Sequence, residues 1–217
     1  MPAMLSQRLW FPDATQADAD GLVAVGGDLS PERLLLAYRD GIFPWSVRPI
    51  TWWSPEPRGV MPLEEFHIAT SLKKFLQQCP YEVTVNQAFR DVMSACAAPG
   101  TKRGGVWISP EFIAAYTRLH ERGHAHSVEC WLDGRLVGGI YGVSVGGFFA
   151  GESMFHRADN ASKIALVKLV ERLRERGFAL FDIQMVTPAT KPFGAREISR
   201  QEYLSQLAKA VEMRCTF

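Results

Sequence analysis

No stretch of this 217-residue sequence stays apolar for the length of a membrane span. Its start, "MPAMLSQRLWFPDATQADADG", carries aspartate and lacks an apolar core, so no secretory signal is expected there. Cysteine is scarce and scattered: Cys79, Cys96, Cys130 and Cys215 form no CxxC pair and have no histidine at ligand spacing. That argues against a metal and for reduced thiols in a cytoplasmic protein. Histidine is concentrated only in "HERGHAH" (120–126), where a helix end followed by a strand cannot hold ligands four residues apart. Net charge is nearly absent, 24 Lys and Arg against 23 Asp and Glu, so any nucleic acid must be held by a local patch. Repeats and low-complexity segments are missing as well.

What is present reads as alternating elements. "GGDLSPERLLLAYRDGIFPW" opens a helix with Ser30 as cap and Pro31 in the first position, and Gly41 ends it. Five prolines in "PWSVRPITWWSPEPRGVMP" preclude a long regular element and suggest a rigid connector or the edges of a small sheet. A domain boundary is expected near residue 60. Beyond it "SLKKFLQQC" reads as a short helix capped by Thr70 or Ser71, followed by the strand "YEVTVN" and the helices "NQAFRDVMSACAA" and "SPEFIAAYTRLHERG". "HSVECWL" turns at Asp133-Gly134 into "RLVGGIYGV", and "SVGG" turns into "FFAGESMF". A long helix is expected from about Asn160 to Arg176, then a buried strand, then the helix "SRQEYLSQLAKAVEM".

The buried strand, "GFALFDIQMV" (177–186), contains an anomaly. Residues two apart share a face, so Asp182 and Gln184 should lie side by side opposite Phe181, Ile183 and Met185. Three antiparallel strands, a helix and a returning strand resemble the core order of Gcn5-related N-acetyltransferases, in which the acyl donor sits where two central strands part. Enzymes of that fold that use acyl-CoA have a glycine-rich turn cradling a pyrophosphate at the helix N-terminus. Here the turn is "HRADNASK", with no glycine and with Asp159 where phosphate would sit, which argues against coenzyme A.

Taken together, "GGDLSPERLLLAYRDGIFPW", "WWSPEPR", "LHERGHAHSVECW", "LVGGIYGVSVGGFFAGESMF", "NASK" and "FDIQ" resemble the leucyl/phenylalanyl-tRNA–protein transferase family from about residue 20 to 205. The resemblance implies an α+β chain: a small N-terminal α/β domain (1–60) and a GNAT-like acyltransferase domain (61–217), a mixed sheet flanked by helices. It implies a cytoplasmic, cofactor-free, monomeric enzyme. Leucine, phenylalanine or methionine would pass from aminoacyl-tRNA to the α-amino group of proteins beginning with Arg or Lys, marking them for degradation.

Residue by residue, the resemblance makes Asp182 and Gln184 catalytic, with Gln184 as proton acceptor polarised by Asp182. A neutral amide is a very weak base, so the alternative is Gln184 as a positioning acceptor, with Asp182 or the ribose hydroxyl taking the proton. On either reading, Asp182→Asn should leave the fold intact and slow transfer. Glu152, between small neighbours in "AGESMF", would bind the α-ammonium of the aminoacyl group or a basic N-terminal side chain; its bland alternative is an ion pair with Arg157 or a lysine. Tyr38, Trp45 and Trp107 match positions lining the aminoacyl-adenosine site. Ile140, Phe149 and Leu166 match the apolar side-chain pocket, where the family more often has methionine at the first; the stiffer Ile140 shifts the preference among Leu, Phe and Met. The other tryptophans, Trp10, Trp52, Trp53 and Trp131, read as packing.

Lys73 and Lys74 in "SLKKF", and Lys102 and Arg103 in "TKRGG", are the candidate tRNA phosphate contacts. In "MVTPATKPFGAREISR", Thr187, Ala189 and Pro192 stand where the family has Asn, His and Ser, which bears on acceptor recognition and rate. The rival readings are an acyl-CoA N-acyltransferase and a tRNA-binding module without catalysis.

Overall fold

The computed structural model describes residues 2–98 and 108–217. The chain opens with β1 (Ala3–Leu5), β2 (Leu22–Gly26), α1 (Pro31–Arg39), β3 (Phe43–Val47) and β4 (Ile50–Trp53). These strands form a small sheet in the order β1-β2-β4-β3. As the capping signal predicts, the Ser30 side chain accepts from the Arg33 amide and Pro31 occupies the first turn of α1. The proline-rich stretch supplies the short β3 and β4 and then β5 (Arg58–Val60), which already belongs to the second sheet. The chain therefore changes sheets between Trp53 and Arg58.

Next come α2 (Thr70–Gln77), β6 (Glu82–Val85), α3 (Phe89–Cys96), α4 (Pro110–Glu121), β7 (Ala125–Leu132), β8 (Arg135–Val145), β9 (Phe148–His156), α5 (Ala161–Glu175), β10 (Leu180–Gln184), β11 (Arg196–Ile198) and α6 (Arg200–Ala210). The seven-stranded sheet runs β11-β5-β10-β9-β8-β7-β6. Its pairs are antiparallel except β9 with β10, which run parallel because α5 carries the chain back across the sheet. This mixed sheet flanked by helices is the α+β, GNAT-like arrangement that the element order predicts. At the β7–β8 hairpin, Asp133 (φ 50°) and Gly134 (φ 70°) both take positive φ, the turn geometry that Asp-Gly favours.

Two local expectations change. α2 begins at Thr70 with Ala69 at its cap and no side-chain bond there, so neither Thr70 nor Ser71 caps it. The strand expected over 177–186 has only five residues, ending at Gln184. The core is continuous across both sheets: Leu34, Ala37, Tyr38 and Trp52 pack in one cluster with Phe112, Tyr116, Tyr141 and Tyr203. Thus α1 of the first part bears directly on the sheet that builds the site.

Candidate active site

Parallel pairing of β9 and β10 runs through Leu180↔Phe148, Phe181↔Phe149 and Asp182↔Ala150, and then stops. Past that point β10 follows β5 on its other side, with a register shift between Asp182↔Val60 and Gln184↔Gly59. The parting has a visible cause. Gln184 takes φ 57°, the left-handed region that costs a non-glycine residue strain and that folds tolerate at functional positions. Opposite it, a Cβ on Gly59 would lie 2.7 Å from the Met185 carbonyl carbon, so only glycine lets the end of β10 ride over β5.

The expected sharing of one strand face by Asp182 and Gln184 therefore fails, because the left-handed residue interrupts the alternation. Asp182 points into the core and is fully buried. Arg58 Nε and Nη2 donate to its two oxygens at 2.9 and 2.6 Å, and Tyr203 donates to Oδ2 at 3.0 Å. Burial works against the Arg58 charge, but the Asp182 carboxylate more than offsets it and raises the guanidinium pKa. Arg58 also donates to the Gly41 carbonyl at 3.0 Å and lies over the Phe43 and Tyr203 rings. With both oxygens occupied and no exposed surface, Asp182 cannot touch an incoming ammonium. Its path to the cleft is through the backbone, where Oδ1 accepts from the Gln184 amide at 2.9 Å.

Gln184 and Glu152 face each other across the parted strands. The Glu152 carboxyl accepts from Tyr38 at 2.7 Å and makes no ion pair with Arg157 or a lysine among the described residues. Burial, only partly opposed by the Tyr38 hydrogen bond, pushes its pKa up to about 8. The Gln184 amide has two usable orientations. In one its nitrogen lies 3.4 Å from Glu152 Oε1, which suits an ionised carboxylate. Turned over, that nitrogen donates to the Gly151 and Ile183 carbonyls at 3.0 Å and the amide oxygen faces Glu152, which suits a protonated one.

Two hollows meet at this pair. One, about 150 Å³, is walled by Phe43, Pro44 and Trp45. The other, about 170 Å³, is walled by Ile140, Met154, Leu166 and Phe181. Glu152, Ile183, Gln184, Met185 and Thr187 line both. A flat, hydrogen-bonding group with an aromatic face suits the first, and a branched or aromatic side chain suits the second.

Of the residues singled out from sequence, Glu152, Gln184, Trp45, Ile140 and Leu166 come together here. Trp45 is 39% exposed and offers a ring face, whereas Tyr38 is fully buried and offers none; it reaches the cleft only through Glu152. Phe149 lies behind the wall, its ring 5.8 Å from that of Phe181. Lys73 and Lys74 are exposed on α2, outside both hollows. Trp107, Lys102 and Arg103 lie outside the described residues. Thr187 lines the cleft and bonds Thr190 in a closed turn, while Ala189 and Pro192 face a neighbouring hollow with Leu72 and Phe75. Among the described residues no group of His, Cys, Asp and Glu could hold a metal ion.

Sequence reasoning missed Arg58, Tyr116, Tyr203 and Phe181. For Arg58 a signal existed: an arginine before "GVM" and a lone aspartate in "ALFDI" are two charges in apolar strands, each needing a partner of opposite sign.

A family model described as "Leucyl/phenylalanyl-tRNA protein transferase" matches residues 60–208, and the model for that family's N-terminal domain matches residues 27–56. The leucyl/phenylalanyl-tRNA–protein transferase of Desulfatibacillum aliphaticivorans is 53% identical over 211 residues, covering 96% of this chain and 91% of that one. Its counterpart from Shewanella baltica strain OS155 is 50% identical over 200 residues, covering 91% and 84%. Among solved structures, a GCN5-related N-acetyltransferase-like protein from Streptococcus suis is similar with a TM-score of 0.38 at 13% identity, over 67% of this chain and 58% of that one. The chain belongs to the leucyl/phenylalanyl-tRNA–protein transferase family and is an aminoacyltransferase.

Proposed function

We propose that this cofactor-free enzyme moves leucine, phenylalanine or methionine from aminoacyl-tRNA to the α-amino group of proteins beginning with Arg or Lys, as a cytoplasmic monomer that marks them for degradation. The observation that carries this reading is the meeting of an aromatic-walled and an apolar hollow at Glu152 and Gln184. The terminal adenosine of the tRNA fits the Trp45 side, where stacking contributes on the order of 1–3 kcal/mol per base. The aminoacyl side chain fits between Ile140, Leu166 and Phe181, which leaves the ester carbonyl at the seam.

Aminolysis needs a neutral amine. An N-terminal ammonium has an ordinary pKa of about 8, and a Glu152 carboxyl raised to about 8 accepts its proton with little free-energy cost. The freed amine then attacks the ester carbon, the C–N bond forms, and the bond to the ribose oxygen breaks. The second amine proton leaves with that oxygen, relayed by Glu152 or by the neighbouring ribose hydroxyl. Gln184, held by Asp182 through its backbone amide, orients Glu152 and the incoming nitrogen.

The test is transfer from charged Leu-, Phe- and Met-tRNA to peptides differing only in their first residue. Labelled product with Arg- and Lys-starting peptides supports the reading. Binding of tRNA without transfer would leave a non-catalytic tRNA-binding module, and binding of acetyl-CoA in calorimetry would favour the acyl-CoA rival.

The tRNA grip is assigned to Lys73 and Lys74. Replacing both by alanine should weaken every tRNA alike and reduce the log–log salt slope by about one to two phosphate equivalents. An unchanged slope would make them ordinary surface lysines.

The carboxyl of Glu152 also gives the fold a pH dependence. Unfolded, it ionises near 4.3; folded, it holds its proton to about 8. Its contribution to stability is complete below the unfolded value and is lost as pH rises toward 8. Relative to Glu152→Gln, the wild-type melting temperature should fall by several degrees between pH 5 and pH 8, an effect on the order of a few kcal/mol. Parallel melting curves that never diverge would show the carboxyl to be unperturbed.

A further inference from the structure

Behind Glu152 lies a chain of hydroxyls that the transfer reaction as drawn does not use. The Tyr38 hydroxyl that donates to Glu152 is itself 2.5 Å from the Tyr116 hydroxyl. Both tyrosines are fully buried. Tyr38 comes from α1 and Tyr116 from α4, so the contact joins the small sheet's helix to the helix preceding β7. Because Tyr38 spends its single proton on the carboxylate, its oxygen can only accept from Tyr116. With Glu152 ionised the direction is therefore set, Tyr116 donating to Tyr38 and Tyr38 to Glu152; a protonated carboxyl could donate instead and reverse it. Chained donors polarise each other in a dry interior, so each strengthens the next. The ring of Tyr116 is itself locked, edge-on to Phe112, Tyr38 and Tyr141.

Resting on the reading of Glu152 as proton acceptor, we propose that Tyr116 is a positioning residue for the transfer: its hydroxyl keeps that of Tyr38 turned to Glu152 and so keeps the carboxylate available in the ionised form. It touches neither substrate nor reacting atoms and acts through Tyr38. The other titratable groups facing Glu152 are Tyr141 on β8, Asp182 on β10, Arg58 on β5 and Tyr203 on α6. Asp182 and Arg58 cancel largely as a neutral pair, and Tyr38, Tyr116, Tyr141 and Tyr203 stay protonated because burial raises each of them. That leaves two adjustable influences on the carboxyl, the Gln184 amide across the cleft and the Tyr116–Tyr38 chain behind it.

Removing the Tyr116 hydroxyl weakens the hydrogen bond that favours ionised Glu152, so the carboxyl should hold its proton to higher pH. The test is single-turnover transfer from Phe-tRNA between pH 6 and about pH 8.5 for four proteins: wild type, Tyr116→Phe, Glu152→Gln and the double variant. In the wild-type background Tyr116→Phe should slow transfer about five- to tenfold near pH 7, as expected for a shift approaching one pKa unit, with the deficit shrinking as pH rises. In the Glu152→Gln background the same change should do nothing to the profile. Tyr116→Met, which keeps the apolar volume, should reproduce the shift, and donor KM should stay constant throughout. If Glu152→Gln flattens the enzyme's pH limb but Tyr116→Phe leaves it in place, or slows transfer equally at all pH values, the proposal is overturned while the proton-acceptor reading stands. If Glu152→Gln retains the wild-type limb, the acceptor reading fails and takes the proposal with it.

Discussion

Asp182→Asn is expected to cost the protein about 3–5 kcal/mol of stability, a large share of an ordinary domain's margin of about 5–15 kcal/mol. The substitution keeps shape but leaves the Arg58 guanidinium, 1% exposed, without its counter-ion. Removing one partner of a buried pair leaves an uncompensated charge, which costs far more than the pair itself contributes. Urea titration should show a lower midpoint at constant slope. The double variant Arg58→Met/Asp182→Leu, which removes both charges together, should recover much of the loss. Transfer by the folded remainder should fall only as far as Gln184 loses the bond from its backbone amide to Asp182 Oδ1. This reverses the expectation drawn from sequence, an intact fold with slow chemistry. An unchanged urea midpoint with a collapsed rate would mean that Asp182 acts on substrate after all.

Glu152→Gln should do the opposite: keep or raise stability above pH 5 and lower single-turnover transfer by roughly 10²–10³-fold, within the range for loss of a general base. Glutamine preserves the acceptor for Tyr38 but cannot take a proton. Donor binding should change little, because glutamine keeps the shape of the one side chain replaced and the rest of the lining of the two hollows is untouched. Transfer within about threefold of wild type would move the proton-accepting role to the substrate's own ribose hydroxyl.

The two outcomes separate residues that looked equivalent in the sequence. Both Asp182 and Glu152 are single carboxylates in apolar strands, and period-two reasoning placed Asp182 beside Gln184 in the cleft. The period holds only while the strand stays regular, and at one left-handed residue, Gln184 at φ 57°, it breaks: Asp182 stays with Arg58 and Tyr203 while Gln184 turns to Glu152. Neither the bulge nor the Gly59 that admits it has a sequence signature, since glutamine is not a residue that favours positive φ. Tyr38 shows the same limit: the resemblance makes it line an adenosine site, but its ring has no exposed face and only its hydroxyl reaches the cleft through Glu152.

What the sequence determined by itself is what depends on neighbours along the chain. The Ser30-Pro31 and Ser109-Pro110 helix starts, the Asp133-Gly134 hairpin, and the β-β-β-α-β order that makes β9 and β10 parallel neighbours all follow from local signals. The motif set likewise pointed to the family that the comparisons show. Only the tertiary structure decided which charge goes where. Arg58 and Asp182 are 124 residues apart in sequence, and Tyr38 and Glu152 are 114 apart. Pairings over such separations are settled by which partner is left when every other buried polar group has found its own, and that accounting closes only once the whole core is packed.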